Sequence, residues 1–200
     1  LSAGLSTLER IEVLLQVAEY GLLVYDIGAA LGHIGEALAA ARASGLKREE
    51  AKARSQLGMA MQTSGLHRIA DAQFARPLAL IEGLEEPRLR GNLWALRFPV
   101  GFLLEERGDE AAEEAFRQSM ACAEAAGPRF HDSMAVTAFC NRAAACIQRG
   151  RTAEARRSLD RAAARRNVTR NMTWMIGALR AIADIRDRND EASRAALEAI

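Results

Sequence analysis

The chain has 200 residues, of which half are apolar and only 5 % are aromatic. This length fits one ordinary domain or one short repeat array. A formal net charge of +1 gives no global field that would favour nucleic acid or a membrane surface. The three cysteines (Cys122, Cys140 and Cys146) lack CxxC spacing, so neither a disulfide framework nor a zinc site is expected, and the reducing cytoplasm is the predicted compartment.

The apolar content comes largely from alanine, with leucine, glutamate and arginine interleaved, and these side chains lose little rotamer freedom in a helix. Only four prolines interrupt them, and no period-two alternation is sustained. We therefore predict an all-α fold. The apolar stretch over 11–34 is interrupted by Glu12, Glu19 and Asp26, so no membrane span is predicted. Because the chain begins without Met and stops inside a helical pattern, we expect it to be a piece excised from a longer protein.

In chain order the sequence predicts ten helices joined by short connections. Ser6 and Glu9 have the spacing of a capping box at the first helix start. Gly45, Gly65, Gly108 and Gly150 stand where a helix ends in a left-handed residue, and such short links make neighbouring helices antiparallel. The predicted ranges are about 6–22, 27–44, 47–64, 67–83, 87–107, 109–126, 131–149, 152–166, 170–188 and 190–200.

One pattern recurs along these helices: a small residue within an apolar run, a breaking glycine, and then a ladder of small and apolar residues. The breaking glycines Gly65, Gly108 and Gly150 are 43 and then 42 residues apart, and self-similarity at a fixed period predicts a repeat array. The small residues would let the two helices of each hairpin approach closely. The copies are Leu57, Gly58, Met61, Gly65, Ala70, Phe74, Pro77; Val100, Gly101, Leu104, Gly108, Ala112, Phe116, Ser119; and Ala143, Cys146, Gly150, Ala155, Leu159, Ala162.

This pattern resembles the tetratricopeptide repeat (TPR), although the usual tryptophan and closing proline are mostly absent and the period is near 40 rather than about 34. The resemblance covers nearly the whole chain. It implies a single domain over 1–200, a right-handed α-solenoid of about five antiparallel hairpins. Long-period TPR-like arrays are typical of bacterial signalling proteins such as diguanylate cyclases and LuxR-type transcription activators.

In TPR hairpins the first helix lines a concave groove, so the resemblance also implies a binding surface. Its amides, hydroxyl groups and aromatic rings would hold an extended peptide or a helix. Phe98 and Phe102 have a second interpretation, which is packing between adjacent hairpins. Lys52 and Asn141 stand in the wrong copies for the carboxylate clamp of chaperone-binding TPRs, so that function is not predicted. Counting from the small residues gives partner-binding candidates Lys52, Ser55, Met59, Gln62, Phe98, Phe102, Glu105, Asn141 and Gln148, with Thr137, Cys140, Leu179 and Arg186 on the same faces.

Catalysis finds little support, because no phosphate-binding glycine motif, HExxH, GxSxG or CxxC pair is present. His33, His67 and His131 are far apart without metal-ligand spacing, so no metal and no cofactor are predicted. A basic stripe from Arg149 to Arg170 would suit an acidic partner, a phosphate or nucleic acid, but a solvated helix back explains it more simply. Pro99 lies within a predicted helix and should kink or break it.

These observations predict a non-enzymatic scaffold or regulatory module that binds a protein or peptide on its concave face. The alternative is a sensory or dimerisation domain of a bacterial signalling protein, with any catalytic activity in a fused domain. An exposed terminal pair leaves an apolar face, which is compatible with homodimerisation through a terminal helix. Neither a membrane nor nucleic acid is a predicted partner.

Overall fold

The fold is known from a computed structural model that describes residues 4–103, 108–166 and 168–198. Side chains are described over the same ranges except at 98, 101–103, 108–112, 128–130 and 189–198. Over the described residues every regular element is a helix, which confirms the predicted all-α class. The helices are α1 (Thr7–Leu23), α2 (Ile27–Ala43), α3 (Lys47–Thr63), α4 (His67–Leu80), α5 (Pro87–Leu103), α6 (Gly108–Ala125), α7 (Pro128–Gln148), α8 (Thr152–Ala163) and α9 (Arg170–Glu198).

The helices form a two-layer array in which each helix packs against its neighbours in sequence. Within the described ranges, each odd-numbered helix also contacts the next odd-numbered one, whereas the even-numbered helices contact only their sequence neighbours. The odd-numbered helices are therefore closer together than the even-numbered helices, which makes their layer the shorter of the two. The array therefore curves with α1, α3, α5, α7 and α9 on the inner side, as expected for an α-solenoid.

Small residues set the distance between the two helices of a hairpin. Gly58 of α3 faces the ring of Phe74 on α4, and a Cβ at Gly58 would lie closer than 3.0 Å to three atoms of that ring. Phe74 and Ala70 have no exposed surface. Farther along the chain, Ala143 of α7 and Ala155 of α8 are also completely buried. The predicted role of small residues in close helix approach is confirmed at Gly58.

The described connections follow the local rules read from the sequence, while the link over 104–107, at which Gly108 is predicted to end a helix, lies outside the described residues. Ser6 and Glu9 form the predicted capping box. Gly45, Gly65 and Gly150 have φ of +65°, +77° and +74°, the left-handed conformation that ends a helix. In each case the next N–H donates to a carbonyl five residues earlier, and these bonds are Leu46 N to Ala41 O at 2.9 Å, Leu66 N to Met61 O at 2.8 Å and Arg151 N to Cys146 O at 2.8 Å.

The first connection makes the same turn without glycine. Tyr25 has a φ of +61° while the N–H of Asp26 donates to Gly21 O at 2.8 Å. A side chain in this region costs about 1–2 kcal/mol. The Tyr25 side chain is 78 % exposed, so its packing offers little compensation for this cost.

Replacing Tyr25→Gly should raise the free energy of unfolding by about 1 kcal/mol, measured by urea denaturation. Gly45→Ala, at the equivalent position, should lower it by a similar amount, and equal effects of the two changes would contradict this account.

Two predictions about helix continuity differ from the structure. The ranges 170–188 and 190–200 were predicted as separate helices, but α9 runs without a break from Arg170 to Glu198. Neither glycine nor proline stands near Asn189, and a polar residue alone is a weak stop signal. Helix α5 continues past Pro99 to Leu103, so proline does not end it. In the described part of the chain, no helix combines the length and the apolar character needed to cross a bilayer.

Candidate binding groove

The inner layer encloses one open groove with a volume of about 630 Å³. Every lining residue belongs to an odd-numbered helix, so the groove follows the concave side of the array. The even-numbered helices contribute nothing to it among the described residues. The lining residues are Glu12, Leu15, Gln16, Glu19, Lys52, Ser55, Gln56, Met59, Leu89, Asn92, Ala95, Leu96 and Thr137.

The lining side chains occupy equivalent positions of successive repeats. Three of the four lining residues in each of α1, α3 and α5 lie 5, 8 and 9 residues after the first residue of the helix, so these three sets are 40 residues apart. Helix α7 carries about one additional turn at its start, and Thr137 takes the position that Asn92 holds in α5. Four repeats therefore contribute to one continuous surface, whose first row is Glu12, Lys52, Asn92 and Thr137.

Side-chain amides connect the inner helices across the groove floor. Gln56 of α3 donates to the carbonyl of Leu15 on α1 at 3.0 Å. Asn141 of α7 donates in the same way to the carbonyl of Ala95 on α5 at 3.1 Å. The equivalent position in α5 is Leu96, which has no donor. The α1–α3 and α5–α7 junctions thus carry an amide bond that the α3–α5 junction lacks.

Charge and polarity change along the groove. Glu12 and Glu19 give the α1 wall two exposed carboxylates that form no ion pair among the described residues. The Nζ of Lys52 lies 3.8 Å from the buried carboxylate of Glu49, so Lys52 forms an ion pair within α3. On the opposite side, the α5 wall presents the half-buried side chains of Leu89 and Leu96 on either side of exposed Asn92. The groove is therefore acidic on the α1 side and partly apolar on the α5 side.

The structure brings together part of the predicted partner-binding set. Lys52, Ser55 and Met59 line the groove side by side on α3. Gln62 lies half-buried in the last turn of α3 and Gln148 is exposed at the end of α7, and neither contributes to the lining.

Other predicted positions are less accessible or lie outside the description. The amide of Asn141 is engaged with Ala95, and Cys140 is buried. Phe98 and Phe102 fall outside the residues whose side chains are described, and Glu105 falls outside the described residues altogether.

Several lining residues were missed because one copy of the repeat was aligned out of register. Counting from Gly101 assigns Phe98 the role of Ser55, whereas the structure gives that role to Ala95, three residues earlier. Counting from helix starts would have placed Asn92 and Ala95 correctly. The same count from Thr7 gives Glu12, Leu15, Gln16 and Glu19, in a repeat where the small-residue pattern is weak.

The cysteines and part of the basic stripe contribute to packing. Burial raises the pKa of Cys140 to about 11, and it also raises the pKa values of Cys122 and Cys146, so these thiols stay protonated near neutral pH. In the described ranges, no cluster of three or more metal-ligating side chains occurs. Within the basic stripe, Arg156 bonds Asp184 at 2.8 Å and the Arg165 guanidinium lies 5.5 Å from the Phe139 ring centroid. Part of the stripe therefore serves packing.

A search of protein-family models, curated proteins and solved structures finds no match to this chain.

Proposed function

We propose that this protein is a TPR-like, non-enzymatic binding module whose concave groove holds a segment of another protein. The observation that carries the proposal is the alignment of equivalent side chains from α1, α3, α5 and α7 along one open groove. A groove of about 630 Å³ has room for several side chains of a peptide. The exposed side-chain amides of Gln16 and Asn92 can pair with the backbone of an extended chain.

The lining also suggests which segment fits. A basic side chain would lie against Glu12 and Glu19, whose carboxylates form no ion pair within the described structure. An apolar side chain would contact Leu89 and Leu96 on the opposite wall. Asn92, which lies between Leu89 and Leu96 on the α5 wall, is exposed and offers both a donor and an acceptor. The preferred ligand is therefore a peptide with a basic residue and an apolar residue separated by a few positions.

A displayed library of random short peptides, selected on the purified protein, would test this proposal. We expect the recovered peptides to be enriched in Lys or Arg followed at short distance by an apolar residue. Asn92→Arg should weaken the binding of a recovered peptide by at least about tenfold, because it fills the groove and repels a basic ligand. The dissociation constants would be measured by isothermal titration calorimetry.

The matched control is Ala72→Arg, which adds the same side chain at an exposed position of the outer helix α4. It should leave binding unchanged. Glu12→Lys combined with Glu19→Lys should reduce affinity for the basic peptides and should do so most at low salt. Recovery of no binders, or binders that ignore Asn92→Arg, would exclude the groove as a peptide site.

A second candidate function is that of a sensory or dimerisation domain in a signalling protein. The observation that favours it is an apolar face on the outer side of α9, where Trp174 is 80 % exposed. In that case the bound segment in the groove would be the signal and the terminal helix would transmit it through association.

A further inference from the structure

Helix α9 has two sides of opposite character. The side facing the array is anchored by buried Ile176 and Ala183. Charged bonds flank this contact, with Arg156 of α8 bonding Asp184 at 2.8 Å and Arg180 bonding Asp160 of α8 at 2.7 Å. These paired charges fix the rotation of α9 about its own axis. The opposite side consequently points away from the molecule.

That outer side is an apolar stripe. Trp174, Ile182 and Ile185 are 80 %, 49 % and 55 % exposed, although large apolar side chains are normally buried. Trp174, Ala178, Ala181 and Ile185 follow spacings of four, three and four residues, which is the seam of a helix that packs against another helix. Within the described structure α9 packs only on α7 and α8, and nothing covers this stripe.

The stripe is self-complementary when two copies of α9 lie antiparallel. The sequence positions then place Trp174 opposite Ile185 of the second copy and Ala178 opposite Ala181. Gly177, where a Cβ would meet nothing within 4 Å, leaves the surface beside Trp174 open. Trp174, Gly177 and Ala178 border a depression of about 540 Å³, which faces Ile185 of the second copy. Large residues thus meet at the ends of the contact, and small residues let the helices approach at its centre.

We propose that the protein forms a homodimer through α9, with the two helices antiparallel about a two-fold axis that passes between Ala178 and Ala181. The exposed tryptophan would be the anchor of the interface, since buried aromatic residues carry a large share of binding energy. This surface lies on a different helix from the peptide groove, so dimerisation does not depend on the proposed ligand.

The area and the charges of the α9–α9 contact indicate how stable the dimer should be. Helix pairing over this stretch would bury about 1,000 Å² in total, which is near the lower limit for a specific interface. A reversible dimer is therefore expected. Arg170 and Arg188 are exposed on the same flank of the stripe, and the two-fold axis brings them close to each other. Because salt screens the repulsion between these arginines, added salt should leave the dimer unchanged or strengthen it.

Sedimentation equilibrium of the full chain across a concentration series tests the proposal. A monomer–dimer equilibrium is expected, with the fluorescence of Trp174 shifting to shorter wavelength as the dimer forms. Trp174→Glu should raise the dissociation constant at least about thirtyfold, and Ile185→Glu should act in the same direction. Both positions are exposed, so unchanged helicity by circular dichroism would confirm that the fold persists.

The matched control is Tyr20→Glu, at an aromatic residue that is 67 % exposed on α1, and it should leave the dimer intact. Register is tested in a Cys122→Ser background by mixing Ala178→Cys chains with Ala181→Cys chains. A short thiol crosslinker should join the two kinds of chain more efficiently than two chains of one kind. A monomer at all concentrations, a dimer that Trp174→Glu does not weaken, a dimer that added salt weakens, or crosslinking without this preference would overturn the proposal.

Discussion

Gly58→Ala should lower the free energy of unfolding by about 1 kcal/mol, although alanine is the better helix former. In an exposed helix the change gains about 1 kcal/mol. At Gly58 the new methyl group would lie closer than 3.0 Å to three atoms of the Phe74 ring. Phe74 is fully buried, so its ring cannot swing aside into solvent. Overpacking of a core costs about 1–3 kcal/mol and should exceed the gain in helix propensity. Urea denaturation measures the difference.

Gly32→Ala provides the matched control within α2. It is the same substitution in a helix interior, but a Cβ at Gly32 would meet nothing within 4 Å. It should raise stability by about 0.5–1 kcal/mol. If Phe74 is the obstacle, Gly58→Ala should cost less when combined with Phe74→Leu than it costs alone. Similar effects at Gly58 and Gly32 would show that close helix approach does not constrain this position.

Glu50→Leu should be more damaging still, with an expected loss of about 3 kcal/mol. Arg54 has a side chain that is only 4 % exposed, and its Nε donates to Glu50 Oε1 at 2.9 Å. Its other described partner is the neutral amide of Gln73 on α4, at 3.1 Å. Removing the carboxylate would leave a buried guanidinium without its counter-charge. Because Glu50 also bonds Arg42 of α2, the substitution would loosen α2, α3 and α4 together.

Two further variants separate the buried charge from other effects of the substitution. Glu36→Leu removes the partner of Arg10 in an ion pair whose side chains are both 56 % exposed, and it should change stability by less than about 1 kcal/mol. Glu50→Leu with Arg54→Met removes both buried charges and should recover most of the loss. Thermal and urea denaturation of the four proteins would decide the matter. If the double variant is as unstable as Glu50→Leu alone, the isolated charge is not the cause.

The parts of the fold that sequence predicts well are those governed by neighbouring residues. The capping box at Ser6 depends on residues within one turn, and the glycine turns at Gly45, Gly65 and Gly150 depend on local backbone conformation. Each was therefore visible in the sequence. Tyr25 makes the same turn against its intrinsic preference, since the antiparallel packing of α1 and α2 requires it there.

The groove was only partly predictable because its register depends on where each helix starts. The α3 residues Lys52, Ser55 and Met59 were placed on the correct face from the position of Gly58. In α5 the reference residue Gly101 stands three positions after the residue equivalent to Gly58, and a shift of this size assigns different side chains to the surface. Pro87, the predicted start of this helix, gives the correct positions when it is used as the reference, whereas Gly101 does not.

The position in α5 equivalent to Gln56 of α3 is Leu96, which has no side-chain amide, and this affects the rigidity of the array. Side-chain amides join the inner helices in pairs, α1 to α3 and α5 to α7, whereas no such amide bond joins α3 to α5 across the groove floor among the described residues. A bound peptide that contacts both Lys52 and Asn92 would connect α3 to α5 across their junction. Occupancy should therefore stiffen the whole array, with slower backbone hydrogen exchange in α4 and α5 than in the free protein. Equal exchange rates with and without a bound peptide would show that the two halves are already coupled.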